Sequence, residues 1–363
     1  MQLLDLLPSQ LADIPESLQI SLQDMIYKIE IQSYCYIKHP DYNLLELPEA
    51  VVFSFEKLSL DFQKKFLSEQ LRNFIYGIYY NGSLKNSLAL DAEVTNLALN
   101  ENLENNTFFG VDVAFYDRLH ESNRGVGYWN HNWLLVKKET DGMLVVKKNG
   151  LKLHIEPHTL QQNANVGDLV AIKMPKNLVQ KGFYMAVANA GTSPNEKNLV
   201  RVYFNLNPEG AVGVMDSLTT QLNAINISFS LKALYNPSEY GRYDSAVLYF
   251  DKNNYKVVCP ILEKLYTQHQ SNFNQQVPLF TKMVAPGLAI AEEPNHKFGD
   301  KESFGTNRCQ VIANGLFEAW HQGNNTPAGR IASIIQHFSL CEIDLQRPYL
   351  NANSDDIYTF FNS

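Results

Sequence analysis

Two short apolar runs carry the titratable residues whose spacing best suits acid–base chemistry. In Lys152-Leu153-His154-Ile155, alternation puts Lys152 and His154 on one strand face and Leu151, Leu153 and Ile155 on the other. Nineteen residues after His154 comes Lys173, closing Leu169-Val170-Ala171-Ile172-Lys173 on the face of Leu169 and Ala171. A polar connector, Gln161 to Asn165, and the turn Gly167-Asp168 join the runs. Strands joined in this way could set an imidazole and an amine on opposite sides of one pocket, an acid and a base without a metal. Burial or a neighbouring cation would lower the lysine pKa and free its amine as a base. Against this stands the ordinary reading, in which a lone strand histidine and a strand-end lysine face solvent.

Further cations lie downstream. Arg201 opens Arg201-Val202-Tyr203-Phe204-Asn205, so that Arg201, Tyr203 and Asn205 share a strand face. Arg242 lies between Tyr240 and Tyr243, Lys282 interrupts an apolar segment, and Arg308 follows a helix cap at Ser303, where the helix dipole favours an anion. Arginine forks match phosphate oxygens. Each cation also has a plainer reading as a salt bridge or solvated charge, and Asp244 is a ready partner for Arg242. No nucleotide-binding glycine loop, zinc-protease helix or nucleophile elbow occurs. His154 and His158 have the spacing of a zinc-binding helix, but Pro157 forbids that helix. His131 between Trp129 and Trp133 reads as part of an aromatic cluster.

The elements that must position these residues fall into three stretches. Residues 1 to about 105 read as helical, with apolar spacing from Leu18 to Ile29 and an amphipathic run from Leu58 to Tyr80 ended by Asn81-Gly82. The asparagine-rich stretch 96–106 suggests a boundary, giving an N-terminal region 1–105 for docking or packing and a second domain, 106–363. From Phe108 short alternating segments follow, divided by Asp141-Gly142 and Asn149-Gly150, which signals antiparallel hairpins. Residues 213–234 suit a helix followed by a strand, 292–301 reads as a mobile loop, and helices start at Ser303 and at Thr326 or Pro327. The expected class is α+β: an N-terminal helical region, a mainly antiparallel sheet and flanking C-terminal helices.

Composition sets the outer limits. The chain has 363 residues, 45% hydrophobic and 19% charged, enough for one large core or two modest ones. A formal net charge of −8 argues against nucleic acid or an acidic membrane surface as partner, while a local basic pocket for a phosphorylated substrate stays compatible. Cys35, Cys259, Cys309 and Cys341 lack metal or disulfide spacing, which fits a reducing compartment. The N-terminus does not read as a signal peptide, and no apolar run approaches the roughly 18 residues of a spanning helix. These features fit a cytoplasmic protein.

Lys152 to Ile155 resembles the Lys-Phe-His-Ile strand of the bacterial effector phosphothreonine lyases. Residues 106 to about 340 look more closely like the HopA-type type III effector family, members of which also occur as lyase components of class V lanthipeptide pathways. The resemblance rests on Lys152–Ile155, Val170–Pro175, Tyr240–Phe250, Phe280–Ala291 and Ser303–Arg308. It implies β-elimination of phosphate from phosphoserine or phosphothreonine in a peptide, with no metal or organic cofactor. Lys173 would take the Cα proton and His154 would protonate the departing phosphate. Lys152, Arg201, Tyr203, Arg242, Lys282 and Arg308 would hold the phosphate and the substrate. The interval from His154 to Lys173 is shorter than in the effector lyases, so Lys176 is an alternative base. A phosphorylated precursor peptide and a separate kinase would be the partners. The competing readings are a non-catalytic phosphopeptide-binding or effector-type interaction protein and, third, a phosphatase.

Overall fold

The computed structural model describes residues 14–47, 49–91, 110–193, 198–300 and 302–361. Helix α1 (Glu16–Lys28) turns Leu18, Leu22, Met25 and Ile26 inward at helical spacing. The chain then alternates into three short strands, β1 (Glu30–Ser33), β2 (Tyr36–His39) and β3 (Tyr42–Glu46), which pair antiparallel in that order. The N-terminal region is therefore not wholly helical, because Ile29 to Ile37 is rich in β-branched and aromatic residues that suit a pleated surface better than a helix. Two helices follow, α2 (Glu49–Phe55) and α3 (Leu60–Ile75). The Ser59 hydroxyl starts α3 by accepting from the Phe62 N–H at 3.3 Å. Leu67, Leu71, Phe74 and Ile75 face inward, whereas Leu60 and Phe62 stay exposed. The helix widens into a π-helical turn, Tyr76–Tyr80, before Asn81 and Gly82 (φ +74°) end it.

After α4 (Val113–Ser122) come β4 (Tyr128–Lys138), β5 (Leu144–Lys148), β6 (Leu151–Ile155) and β7 (Leu169–Met174). They form an antiparallel sheet ordered β6-β5-β4-β7, with its own small core of Trp133, Leu135, Leu144, Val146, Val170 and Ile172. The next strands are β8 (Asn177–Gln180), β9 (Phe183–Val187) and β10 (Leu199–Phe204), and α5 (Pro208–Ala224) leads to β11 (Phe229–Leu234) and β12 (Ala246–Asp251). Helix α6 (Tyr255–His269) precedes β13 (Lys282–Ala285) and β14 (Leu288–Glu292), and the helices α7 (Phe304–His321) and α8 (Pro327–Leu340) follow. The seven strands from β8 onward pair antiparallel in the order β13-β14-β10-β12-β11-β9-β8. The class is α+β.

A continuous core runs from Leu18 and Leu22 of α1, through Phe74 of α3 and Val202, Leu231 and Leu248 of the large sheet, to Ile334 and Phe338 of α8. Helix α3 packs on α7, and α1 on α8. The boundary expected near residues 96–106 lies outside the described residues, and the same core continues on both sides of it. Among the described residues no helix is long and apolar enough to cross a membrane. The loop expected at 292–301 begins as anchored backbone, since Glu292 and Glu293 are both buried. Glu293 N–H also donates to Leu199 O at 2.9 Å.

The approach of α7 to α8 depends on Gly315, where a Cβ would stand 2.7 Å from the Ile334 Cα and 2.9 Å from its backbone nitrogen. Helix propensity alone favours Gly315→Ala by about 1 kcal/mol. Because the clash is with backbone, we expect the substitution to destabilise instead, by about 1–3 kcal/mol. A lowered urea midpoint at unchanged slope is the expected result, and a raised midpoint would contradict this packing account.

Candidate functional site

His154 and Lys173 share a face of the four-stranded sheet, but they do not share a pocket. His154 pairs with Val145 and Val145 with Lys137, whereas Lys173 pairs with Trp129 near the other end of β4. They lie on opposite edge strands, about 14 Å apart across the sheet and on the order of 25 Å apart along it at ordinary strand spacings. The single pocket expected from the two runs is corrected accordingly: two strands stand between them, because the Asn149-Gly150 turn pairs β6 with β5 rather than with β7. His154 is exposed and its Nδ1 is 3.1 Å from Glu139. Lys173 donates to Gly127 O at 3.0 Å and lies over the Trp129 ring. Lys176 caps the end of α4, donating to His120 O at 2.8 Å and Asn123 O at 2.9 Å. Burial, then Arg124, lowers the Lys176 pKa. Lys152 is exposed beside Lys147 on β6.

The cations expected to gather round a phosphate are also dispersed. Arg242 forks onto Asp244 at 2.8 and 2.9 Å in a buried pair. Lys282 donates to Asp356 at 2.7 Å and to Tyr358 O at 2.6 Å. Arg308, 2% exposed, spends its donors on Pro348 O, Leu350 O and Asn307 Oδ1. It holds the C-terminal segment rather than an anion at the helix start, and burial lowers its pKa to about 10. Tyr203 is buried between Tyr80 and Phe304. Among the expected cations, Arg308 lines a small cavity of about 190 Å³ and Arg201 lines a larger one.

That cavity, of about 360 Å³, opens on one face of the seven-stranded sheet. Cross-strand pairing sets Ala291, Arg201, Tyr249 and Ser230 in one row, and Tyr203, Val247, Lys232 and Met185 in the next. The alanine leaves room beside the guanidinium. Arg201 pairs with Glu293 and lies over the Tyr249 ring. Burial opposes its charge, but Tyr249 and Glu293 outweigh burial and hold its pKa well above the ordinary value. Lys297 reaches the other oxygen of Glu293 at 2.6 Å. Burial works against ionisation of Glu293, yet Arg201 and Lys297 hold its carboxyl below the usual range. On the rim, burial raises the Glu302 pKa against bonds from Asn307 at 3.0 Å and the Phe298 N–H at 2.7 Å.

Lys232 is the member that matters most. It is 5% exposed, and its Nζ sits 4.3 Å from the Phe183 ring centroid and 5.8 Å from that of Tyr249. Among the described residues no carboxylate lies within ion-pair distance of it, and nearby Asp244 is already held by Arg242. A buried ammonium without a carboxylate is costly, so its presence points to a ligand that supplies the counter-charge. The sequence signal was the one that drew attention to Lys173: a lysine inside an apolar strand, here Phe229-Ser230-Leu231-Lys232-Ala233-Leu234. Lys297, Tyr249, Glu293 and Glu302 were also missed, and they approach only through strand pairing and the loop after β14.

One other cluster could in principle hold a metal: Asp24, His39 and Asp41, with ligand atoms within 4.8 Å of one another. Lys28 already bridges its carboxylates at 2.6 and 2.7 Å. His39 meets Tyr79 through Nε2 and the Asp41 N–H through Nδ1. The cluster is a strut between α1 and the β2–β3 turn, with Lys28 held between its two carboxylates.

The fold and the cavity define an α+β protein with a cationic cleft on an open sheet face. Residues 174–350 match the model of the HopA1 effector protein family. The match begins later than the resemblance drawn from residue 106. Every described residue lining the cavity, from Gln180 to Ser303, falls inside the matched segment, while Lys152, His154 and Lys173 fall outside it. The chain is also similar to two solved effector-protein structures. One is from Pseudomonas syringae pv. tomato strain DC3000, at 18% identity and a TM-score of 0.44, covering 84% of this chain and 98% of that one. The other is from Pseudomonas syringae pv. syringae strain 61, at 17% identity and a TM-score of 0.42, covering 80% and 98%. No curated protein matches the chain.

The buried Arg242–Asp244 pair supports a prediction about pH. Burial alone would raise the Asp244 pKa, but Arg242 outweighs it and the pKa lies below the ordinary value. The stabilisation is therefore fully present above the unfolded carboxylate pKa of about 3.9, and it is lost as pH falls through the lower folded value. Asp244→Asn leaves Arg242 buried without its counter-ion and should cost about 3–5 kcal/mol near neutrality. Urea titrations from pH 7 to pH 3 should show a constant gap between the two proteins at high pH that narrows below about pH 4.

Proposed function

We propose that the cavity on the large sheet binds the phosphoryl group of a phosphorylated peptide, with Lys232, Arg201 and Lys297 as its cationic lining. The observation that carries this reading is the buried, carboxylate-free ammonium of Lys232 in the same cavity as the Arg201 guanidinium. Glu293 and the rim carboxyl of Glu302 offset part of the charge of the three cations, and the excess positive charge would attract a phosphate. Tyr249 offers a ring face and Ser230 a hydroxyl along the same row. A separate kinase would supply the phosphate, since the sequence has no nucleotide-binding loop. The match of residues 174–350 to an effector protein family agrees with a protein that engages another polypeptide.

The position of Lys232 also favours a second reading, elimination. As a neutral amine Lys232 would take the Cα proton of a phosphoserine or phosphothreonine. The Cα–H electron pair would form the new Cα–Cβ double bond, and the Cβ–O bond would break with its electrons leaving on phosphate. Arg201 and Lys297 would stabilise the departing dianion. This assigns the lyase chemistry implied by the resemblance to the cavity rather than to His154 and Lys173.

Mass spectrometry and calorimetry with a phosphoserine peptide test both readings. Binding without a mass change supports the binder, loss of phosphoric acid supports elimination, and loss of the phosphoryl group alone would indicate a phosphatase. Lys232→Met should lower affinity tenfold or more, about 1.4 kcal/mol or above. Because it removes a buried charge, the same variant should unfold at higher urea, by about 1 kcal/mol or more. Unchanged binding in Lys232→Met, or loss of activity in Lys173→Ala alone, would overturn the assignment.

A further inference from the structure

The four-stranded sheet has an open edge whose geometry specifies a ligand. Its order is β6-β5-β4-β7. The β7 edge is partly covered, because Leu160 bridges Ile172 and the Gln161 N–H donates to Ala171 O at 3.1 Å. Among the described residues no strand pairs with the outer side of β6.

The hairpin turn determines which backbone groups face outward. Asn149 (φ +48°) and Gly150 (φ +82°) both take the left-handed conformation, which makes a two-residue type I′ turn. In such a hairpin the flanking pair, Lys148 with Leu151, exchanges ladder hydrogen bonds, and every second pair after it does the same. Val146 with Leu153 and Leu144 with Ile155 are thus bonded pairs. Lys152 and His154 belong to the intervening pairs, so both of their N–H groups and both of their carbonyls point away from β5 towards the free edge. The side chains divide by the same alternation. Leu151, Leu153 and Ile155 lie on the face of the small core, and Lys152 and His154 lie on the other face with Lys147 and Lys137. Residues 128–174 hold six lysines, no arginine and four carboxylates, a net +2 within a chain of net −8.

We infer that the β6 edge binds an extended acidic peptide segment by strand addition, with apolar side chains alternating with carboxylates. Four outward backbone groups supply the ladder, half-buried Leu153 and Ile155 receive the apolar side chains, and Lys152, with Lys147 beside it, faces the acidic ones, next to His154 and its neighbour Glu139. A second copy of this chain is a poor occupant. Antiparallel pairing of β6 with itself would bring the Lys152 side chains of the two copies together on one face, and like charges across strands repel. The edge lies outside the segment matching the effector family, so this inference is independent of the cavity.

The test uses the full chain and two short peptides without phosphate, one alternating valine with glutamate and one alternating valine with lysine. Fluorescence anisotropy reads affinity, hydrogen exchange reads the amides of residues 151–155, and analytical ultracentrifugation reads mass. The glutamate peptide should bind and slow exchange at Lys152 and His154, and the lysine peptide should not. Lys152→Glu with His154→Glu should weaken binding at least tenfold. Lys152→Pro removes one outward N–H while sparing the β5 ladder, and should also weaken it. Binding without slowed exchange in β6, equal binding of both peptides, no binding at millimolar concentration, or self-association through this edge would each overturn the inference.

Discussion

Two adjacent carboxylates at the end of β14 hold the C-terminal half of the molecule together. Strand alternation sends Glu292 and Glu293 to opposite faces of the sheet. Glu292 receives Lys252 at 2.6 Å, Ser354 at 2.7 Å, the Asn351 N–H at 3.0 Å and Tyr358 at 3.0 Å, which ties the last described residues across the sheet end. Glu293 receives Arg201 and Lys297 and so fixes the wall of the cavity. Each carboxylate is nearly buried, and burying one without such partners would cost several kcal/mol. The tail, the sheet end and the cavity wall are therefore ordered by a common constraint.

The same reasoning separates structural cations from one available to a ligand. Arg242 and Lys282 have carboxylate partners, and Arg308 has carbonyl and amide acceptors. An arginine fork is weakly hydrated and planar, so it serves well as an internal brace, and these residues brace the fold. Lys232 lies over two ring faces, and among the described residues it makes no ion pair. Cation–π attraction of about 2 kcal/mol offsets part of the desolvation of an ammonium, but it does not neutralise the charge. What distinguishes Lys232 among the described cations of the large sheet is that the nearby carboxylate, Asp244, is paired with Arg242 instead, which sequence spacing does not reveal.

Local signals were legible in the chain. Asn149-Gly150 specified its hairpin, Ser303 its cap and Asn81-Gly82 the end of the third helix, because each is set by the geometry of a few neighbouring residues. The α+β class followed from the same local patterns. Strand order was not legible. His154 and Lys173 do share a sheet face, as alternation implied, yet β5 and β4 intervene between their strands, and no local rule encodes that insertion. The first hairpins, β1 to β3, were lost for a related reason. Short strands of four or five residues carry too few alternations to override the helical pattern on either side.

The two proposed sites differ in their physical basis. The cavity is lined by side chains from strands β8 to β12 and from the segment after β14, brought close only by long-range pairing, and its selectivity would lie in charge and shape. The edge of β6 is a local product of one hairpin, and what it offers is backbone, which any extended chain can meet. A backbone ladder alone is indifferent to sequence, and a cationic cavity alone is indifferent to the chain that carries its anion. A protein that must find one modified residue in a polypeptide gains discrimination when both conditions apply, because the linked contact raises the effective concentration of the second. Such a division would need no acid–base pair on the small sheet, and it would give Lys152 a role on a basic strand remote from the buried lysine.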